Sequence, residues 1–333
     1  MRLLVTGGAG FIGSNYVRYM LDRYPDYRIM VLDALTYAGN LDNFVGLWEN
    51  PNFQFFQGRI EDAALVDNLA RNVDAIVNFA AESHNDRAIL DPHTAATTNF
   101  SGVLTLLEAA RKFKHTKFHQ VSTDEVYGTT DGEFTEGDPL EPNQPYSAAK
   151  AGGELLVRAY HVTFGLHTIV TRGSNTFGPY HYPEKMIPLF ITNAMDGKSL
   201  PVYGDGKQVR DWMWVGDHAA GIDIAFQKGN PGEVYNVGGG NERHNIEVVK
   251  LILQYLGKDE SLIRYVTDRP GHDRRYSLNT HKMEALGFAP DRNFEARLEE
   301  TVKWYVENES WWRKIKDSEG YRSFHDKWYA NRK

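Results

Sequence analysis

Cysteine is absent from the 333 residues. That removes a disulfide framework, a thiolate metal site, an iron–sulfur cluster and a cysteine nucleophile, so any chemistry must come from other side chains. Long apolar runs are missing too. No stretch approaches the roughly 18 residues of a membrane span, and MRLLVTGGAG at the N-terminus has a strand followed by glycines where a signal peptide needs a cleavable apolar stretch. A soluble, cytoplasmic protein is the expectation. Basic blocks are also lacking: 37 Lys+Arg stand against 44 Asp+Glu for a formal charge of −7. With no zinc-finger or basic-helix signature, nucleic acid is not the expected main ligand, although a local basic pocket can still hold a small anion. The 12 histidines form no H-E-x-x-H and no tight cluster with acids, so no metal is expected.

What is present is rhythm. The first half alternates short apolar runs, at 3–6, 28–33, 53–57, 74–80, 117–122 and 166–172, with amphipathic stretches near 11–24, 62–71, 93–113 and 145–164. Strands alternating with helices predict an α/β, Rossmann-type doubly wound parallel sheet. After about residue 172 the elements shorten and are broken by Gly and Pro, as in FGPYHYPEK (177–185) and YGDGKQ (203–208). Residues 1–172 are therefore assigned to a dinucleotide-binding domain, to which later segments return. Residues 173–333 are assigned mainly to a smaller C-terminal α/β substrate-binding domain. Trp311 and Trp312 read as packing for a C-terminal helix, His84 is left unassigned, and 316–333 carries no readable role.

The turn after the first strand reads Gly7-Gly8-Ala9-Gly10-Phe11-Ile12-Gly13 and then opens a helix. Glycines let the chain turn tightly and let a pyrophosphate approach the backbone at a helix N-terminus. Asp33 ends the second strand twenty positions after Gly13, where a carboxylate accepts the ribose hydroxyls of NAD and repels the extra phosphate of NADP.

Two further clusters carry chemistry. Tyr146 and Lys150 share one helix face, and an ammonium near a phenol, with a nicotinamide cation close by, is expected to lower the tyrosine's pKa so that it takes a hydroxyl proton. At the end of the fifth strand stand Thr123, Asp124 and Glu125. Successive strand residues point to opposite faces, so both acids reach one substrate only if the chain has already turned there, and a turn is predicted. On this pattern alone a capping acid beside a surface acid is the favoured reading.

The motifs GGAGFIGS (7–14), AAESHNDR (80–87), STDEVYG (122–128), PYSAAK (145–150), SNTFGPYHYPEKMIPL (174–189) and DRPGHDRRY (268–276) resemble, over nearly the whole chain, the extended short-chain dehydrogenase/reductases and within them the dTDP-glucose 4,6-dehydratases. The resemblance implies oxidation of the sugar at C4 by NAD+, loss of water across C5 and C6, and return of the hydride to C6. It gives Thr123 and Tyr146, with Lys150, the O4 hydroxyl, makes Glu125 the base at C5, and makes Asp124 the acid for the C6 hydroxyl. Cofactor contacts carried over are Gly7, Gly10, Phe11, Ile12, Gly13, Asp33, Leu35, Thr36, Ile60, Ala80, Ala81, Thr98, Tyr146 and Lys150. Substrate contacts carried over are Ser83, Thr123, Asn175, Lys185, Met186, Pro201, Tyr203, Arg210, Asn245, Asp268, Arg269 and His272. A homodimer formed through a four-helix bundle by the helices at 93–113 and 145–164 is also implied. The chain departs from the family pattern at Arg59, where an acid is usual, and at Thr176, where a second Asn is common. A UDP-sugar 4-epimerase, a UDP-sugar dehydratase and a non-catalytic NAD and nucleotide-sugar sensor are the alternative readings.

Overall fold

Short β-branched and aromatic runs lie side by side in the computed structural model, which describes residues 1–268 and 271–329. In chain order the strands are β1 (Arg2–Thr6), β2 (Arg28–Asp33), β3 (Phe53–Gln57), β4 (Ala75–Asn78), β5 (Lys117–Thr123), β6 (Thr168–Gly173), β7 (Asn175–Phe177), β8 (Leu200–Tyr203), β9 (Val209–Trp214), β10 (Glu233–Val237), β11 (Glu242–His244) and β12 (Ile263–Val266). The α-helices are α1 (Phe11–Arg23), α2 (Ala63–Ala70), α3 (Asn85–Leu90), α4 (Pro92–Ala96), α5 (Val103–Lys112), α6 (Pro145–Phe164), α7 (Met186–Met195), α8 (Val215–Lys228), α9 (Asn245–Leu256), α10 (His281–Ala285), α11 (Phe294–Glu307), α12 (Glu309–Lys316) and α13 (Glu319–Tyr329). Among the described residues no helix is long and apolar enough to cross a membrane.

A seven-stranded sheet, parallel throughout, runs in the order β10-β6-β5-β4-β1-β2-β3. Strand alternation divides its apolar residues between two layers. Leu3, Val5, Val31 and Val77 pack with Tyr16 and Phe226 on one face, while Leu4, Leu32 and Ile76 pack with Leu106, Leu107 and Val157 on the other. The sequence showed six of these strands. β10 escaped notice because its EVYNV run is short and polar at two of five positions, and it becomes a strand only by pairing with β6 across the α8 crossover.

The helix expected over 93–113 is interrupted. Between α4 and α5 the backbone widens into a π turn over Thr97–Gly102. There the Asn99 side chain exchanges two hydrogen bonds with the backbone of Glu82, each at 3.0 Å. A Cβ on Gly153 of α6 would come within 2.5 Å of Asn99 O, so the two helices touch backbone to backbone. Such π turns are frequent at functional sites.

The second half adds two small sheets, β11-β9-β7 and β12-β8. They rest on an apolar cluster that includes Phe190, Ile252, Leu298, Tyr305 and Trp312. Trp312 and Trp311 are buried in it, and the Trp311 indole N–H donates to Asn43 Oδ1 at 3.0 Å. The tryptophans therefore pack the C-terminal helices, as expected, and also fasten them to the first half.

Behind the end of β5 runs a buried polar network. Arg172 of β6 reaches Glu154 of α6 through Nε at 2.9 Å and Nη2 at 2.7 Å, with both side chains almost without exposure. Ser122 Oγ donates to the other Glu154 oxygen, Arg172 Nη1 donates to Tyr127 OH at 2.6 Å, and Tyr127 OH donates to Asn236 Oδ1 at 2.8 Å. Replacing Arg172 alone leaves a buried carboxylate uncompensated. Arg172→Met is expected to cost about 3–5 kcal/mol in chemical denaturation, and Arg172→Met with Glu154→Leu to recover most of it. A single-variant loss below about 1 kcal/mol, the range of exposed pairs, would contradict this account.

Candidate active site

β5 ends at Thr123, and the chain then tightens into a 3₁₀ turn over Asp124–Val126. The Thr123 hydroxyl caps that turn by accepting from Glu125 N at 3.3 Å and donates to Asp124 Oδ1 at 3.2 Å. The predicted turn is present, and both acids line one cleft together with Tyr146 and Lys150. Asp124 is 1% exposed, and its Oδ2 has no hydrogen-bond partner. Burial, reinforced by the Glu125 charge, pushes its carboxyl well above the usual carboxylate range, while Arg210 acts the other way. A protonated acid thus stands beside a second carboxyl, an arrangement suited to pairing a proton donor with a proton acceptor.

Tyr146 behaves differently from the expectation. Burial and the charges of Glu125 and Asp124 raise its pKa above the ordinary phenol value. Lys150 does not offset this: its ammonium donates to Val121 O at 2.7 Å and is itself brought down to about 8 by burial. The protein groups by themselves hold the phenol protonated, because the desolvation that surrounds the pair outweighs any attraction across one helix turn.

The cleft encloses about 390 Å³ and runs from the glycine turn to the second half of the chain. Gly7 has φ +69°, and a Cβ there would fall 2.5 Å from Ala80 N. A Cβ on Gly13 would fall 2.3 Å from Gly7 O. α1 begins at Phe11 with no side-chain cap, so its first N–H groups are left for an anion. Asp33 accepts from Ala9 N at 2.9 Å and Leu35 N at 2.8 Å, which joins the glycine turn to β2. This cradle, closed to an added methyl at Gly7 and Gly13, fits a dinucleotide pyrophosphate.

Of the residues singled out in the sequence, Thr36, Ile60, Ala80, Ala81, Ser83, Thr98, Asn175, Lys185, Met186, Pro201, Tyr203, Arg210, Asn245 and His272 all line the cleft. Two do not. Leu35, held at φ +50°, contributes a backbone N–H to Asp33, and Asp268 lies behind the wall, where its Oδ1 pairs with His272 Nδ1 at 2.6 Å. Arg269 lies outside the described residues. Asn175 Oδ1 and Asn245 Oδ1 are buried without partners, as expected of acceptors kept for a ligand.

Other residues shape the site beyond the contacts carried over from the sequence. Arg87 is stacked between the rings of Tyr37 at 3.9 Å and Phe324 at 4.1 Å, and its Nε and Nη2 reach Glu184 Oε2 at 3.0 and 2.9 Å. It links the loop after β2, the segment before α7, and α13. The stretch 316–333, which carried no readable role, supplies Tyr329 to the cleft, and Trp328 Nε1 donates to Tyr203 OH at 2.7 Å. Thr176 meets His218 Nδ1 at 2.8 Å, which places a second unassigned histidine on the wall. Arg59 lines the adenine end beside Glu61, which accepts from Thr98 Oγ1 at 2.7 Å. Only the alternation of aromatics in 321–329 could have drawn attention to α13.

Comparison with known proteins places this geometry in context. The family model described as GDP-mannose 4,6 dehydratase matches residues 4–301. The chain is 52% identical to the low-salt glycan biosynthesis protein Agl12 of Haloferax volcanii, over 92% of this chain and 99% of that one. It is 50% identical to a dTDP-glucose 4,6-dehydratase of Xanthomonas campestris, over 92% and 94%. Among solved structures it matches DesIV, a dTDP-glucose 4,6-dehydratase from Streptomyces venezuelae with NAD and TYD bound, at 50% identity and a TM-score of 0.93, covering 95% of this chain and all of that one.

The cradle makes its own prediction. Because the atom that a methyl on Gly13 would meet is backbone, Gly13→Ala is expected to cost about 1–3 kcal/mol in urea denaturation. An unchanged midpoint would show that the turn has slack the geometry does not reveal.

Proposed function

The chain belongs to the nucleotide-sugar 4,6-dehydratases, in their dTDP-glucose branch, and on that premise we propose that it is an NAD-dependent hydro-lyase converting dTDP-glucose to dTDP-4-keto-6-deoxy-glucose and water for deoxysugar synthesis. One observation carries the reading: two adjacent acids, the more buried of them held protonated, share a cleft with Tyr146 and a dinucleotide cradle.

Gly7, Gly10, Phe11, Ile12 and Gly13 would hold the pyrophosphate of NAD, with Asp33 at the ribose and Thr98 and Ile60 toward the adenine. Bound there, NAD supplies the acceptor for the C4 hydride and its later donor to C6. Thr123 holds the O4 hydroxyl and Tyr146 takes its proton, which the positive charge of the oxidised cofactor favours and the neighbouring acids oppose. Lys150, fixed by Val121 O, orients the Tyr146 face and keeps its charge below about pH 8. Once C4 is a ketone, the C5 hydrogen is acidic enough for a carboxylate. Glu125 takes it while Asp124 gives a proton to the departing C6 hydroxyl, which leaves as water. Arg210, Lys185 and Asn245 would meet the diphosphate and Tyr203 the base.

The proposal includes a cytoplasmic homodimer. Phe100, Leu104, Leu155, Val162 and Phe164, on the π turn, α5 and α6, are exposed apolar side chains, and pairing these elements with a second copy would make a four-helix bundle. Leu155→Lys with Val162→Lys is expected to give a monomer in sedimentation; an unchanged mass would remove this face from the interface.

The chemistry is tested by incubating the protein with NAD and dTDP-glucose in heavy water. A 6-deoxy-4-keto sugar carrying deuterium at C5 is expected, and Asp124→Asn should slow its formation at least tenfold. A product inverted at C4 with no loss of water would indicate an epimerase and overturn the reading.

A further inference from the structure

The elimination asks Glu125 to present one carboxylate oxygen to C5, yet a glutamate on a short turn has three side-chain torsions with which to miss it. The structure supplies a restraint that the sequence did not suggest. Asn85 Nδ2 donates to Glu125 Oε2 at 2.6 Å, from 40 positions away in the chain. Asn85 is 5% exposed, opens α3 and lines the cleft beside Glu125. Its Oδ1 is buried without a partner, so of its two polar ends only the donor is engaged.

The backbone carrying Asn85 is held on every side. Lys185 Nζ donates to Ser83 O at 2.7 Å, and Tyr203 OH donates to Asp86 Oδ2 at 3.0 Å. Arg87 is locked on Glu184, and Ala88 packs against the Tyr146 ring. The amide is therefore a fixed point to which the glutamate is tied, not a side chain that follows it. An amide N–H has a proton to share and no charge. It complements a carboxylate oxygen while opposing proton uptake by the other oxygen less than a lysine or arginine would.

We propose that Asn85 is a positioning residue for the base: by holding Glu125 Oε2 it leaves Oε1 directed to the C5 hydrogen. In the step it serves, the C5–H pair of electrons becomes the C5–C6 double bond and the proton passes to Glu125. The C6–O bond breaks, and the leaving oxygen takes its proton from Asp124. The proposal rests on the assignment of Glu125 as base, and its test separates the two.

Asn85→Leu keeps the volume and loses the donor. With dTDP-glucose and NAD, kcat should fall roughly tenfold to a hundredfold, as for a misplaced catalytic group, with KM within about twofold. Oxidation at C4 should proceed, so reduced-cofactor absorbance should build up at steady state. The isotope effect on substrate deuterated at C5 should also grow. Should the leucine variant not fold, Asn85→Ala, which removes the donor and adds no charge beside Glu125, carries the same readouts. Wild-type kcat and isotope effect in either variant would overturn the proposal, as would a raised KM with kcat intact, which would mean that Asn85 holds the sugar. Glu125→Gln serves as the control. If it eliminates water as fast as wild type, the assignment of Glu125 itself falls; if it does not, a silent Asn85 variant refutes the positioning role alone.

Discussion

Two neighbouring carboxyls cannot both carry charge in a buried cleft, and much of this molecule follows from how Asp124 and Glu125 resolve that conflict. The resolution is an unequal environment. Asp124 is the more deeply buried and keeps its proton, while Glu125 has an amide donor on one of its oxygens. The difference depends on the turn that follows β5. On an extended strand the two side chains would point to opposite faces and there would be no conflict to resolve. The Thr123 hydroxyl caps that turn, and the Ser122–Glu154–Arg172 network anchors the strand leading into it.

The same crowding sets the character of Tyr146. Its pKa is raised by burial and by the charges of the two acids beside it, so loss of the phenol proton is disfavoured by the protein groups alone. Lys150, whose own charge is weakened by burial, is held on Val121 O and does not counter this shift.

The cleft is assembled from both halves of the chain, so its walls depend on contacts that cross between them. Arg87, stacked between two aromatic rings and paired with Glu184, brings together the loop after β2, the segment before α7 and α13. Lys185 on Ser83 O and Trp328 on Tyr203 OH extend this join along the cleft. The C-terminal helix is in this sense part of the binding wall, although in sequence it reads only as a polar, aromatic tail.

What could be read directly was whatever the chemistry confines to neighbouring positions. The glycine turn followed by Asp33 is such a pattern, whereas the Tyr146 and Lys150 spacing and the Thr123, Asp124 and Glu125 run, each within one or two turns of backbone, gained their roles only from the resemblance. Six of the seven strands declare themselves by short runs rich in apolar and β-branched residues. β10, the π turn at Thr97–Gly102, the hold of Asn85 on Glu125 and the arrival of Tyr329 in the cleft were not readable. Each is a meeting of segments far apart in the chain. The sign of the Tyr146 shift belongs with them, because local spacing shows which charges are near in sequence but not how much water folding removes. Composition and spacing by themselves showed six strands of the sheet and the glycine turn with its acid, and the resemblance to the dehydratases singled out the acid pair. Burial and long-range contact, which exist only once the chain has closed on itself, decided which acid keeps the proton and what holds the other in place.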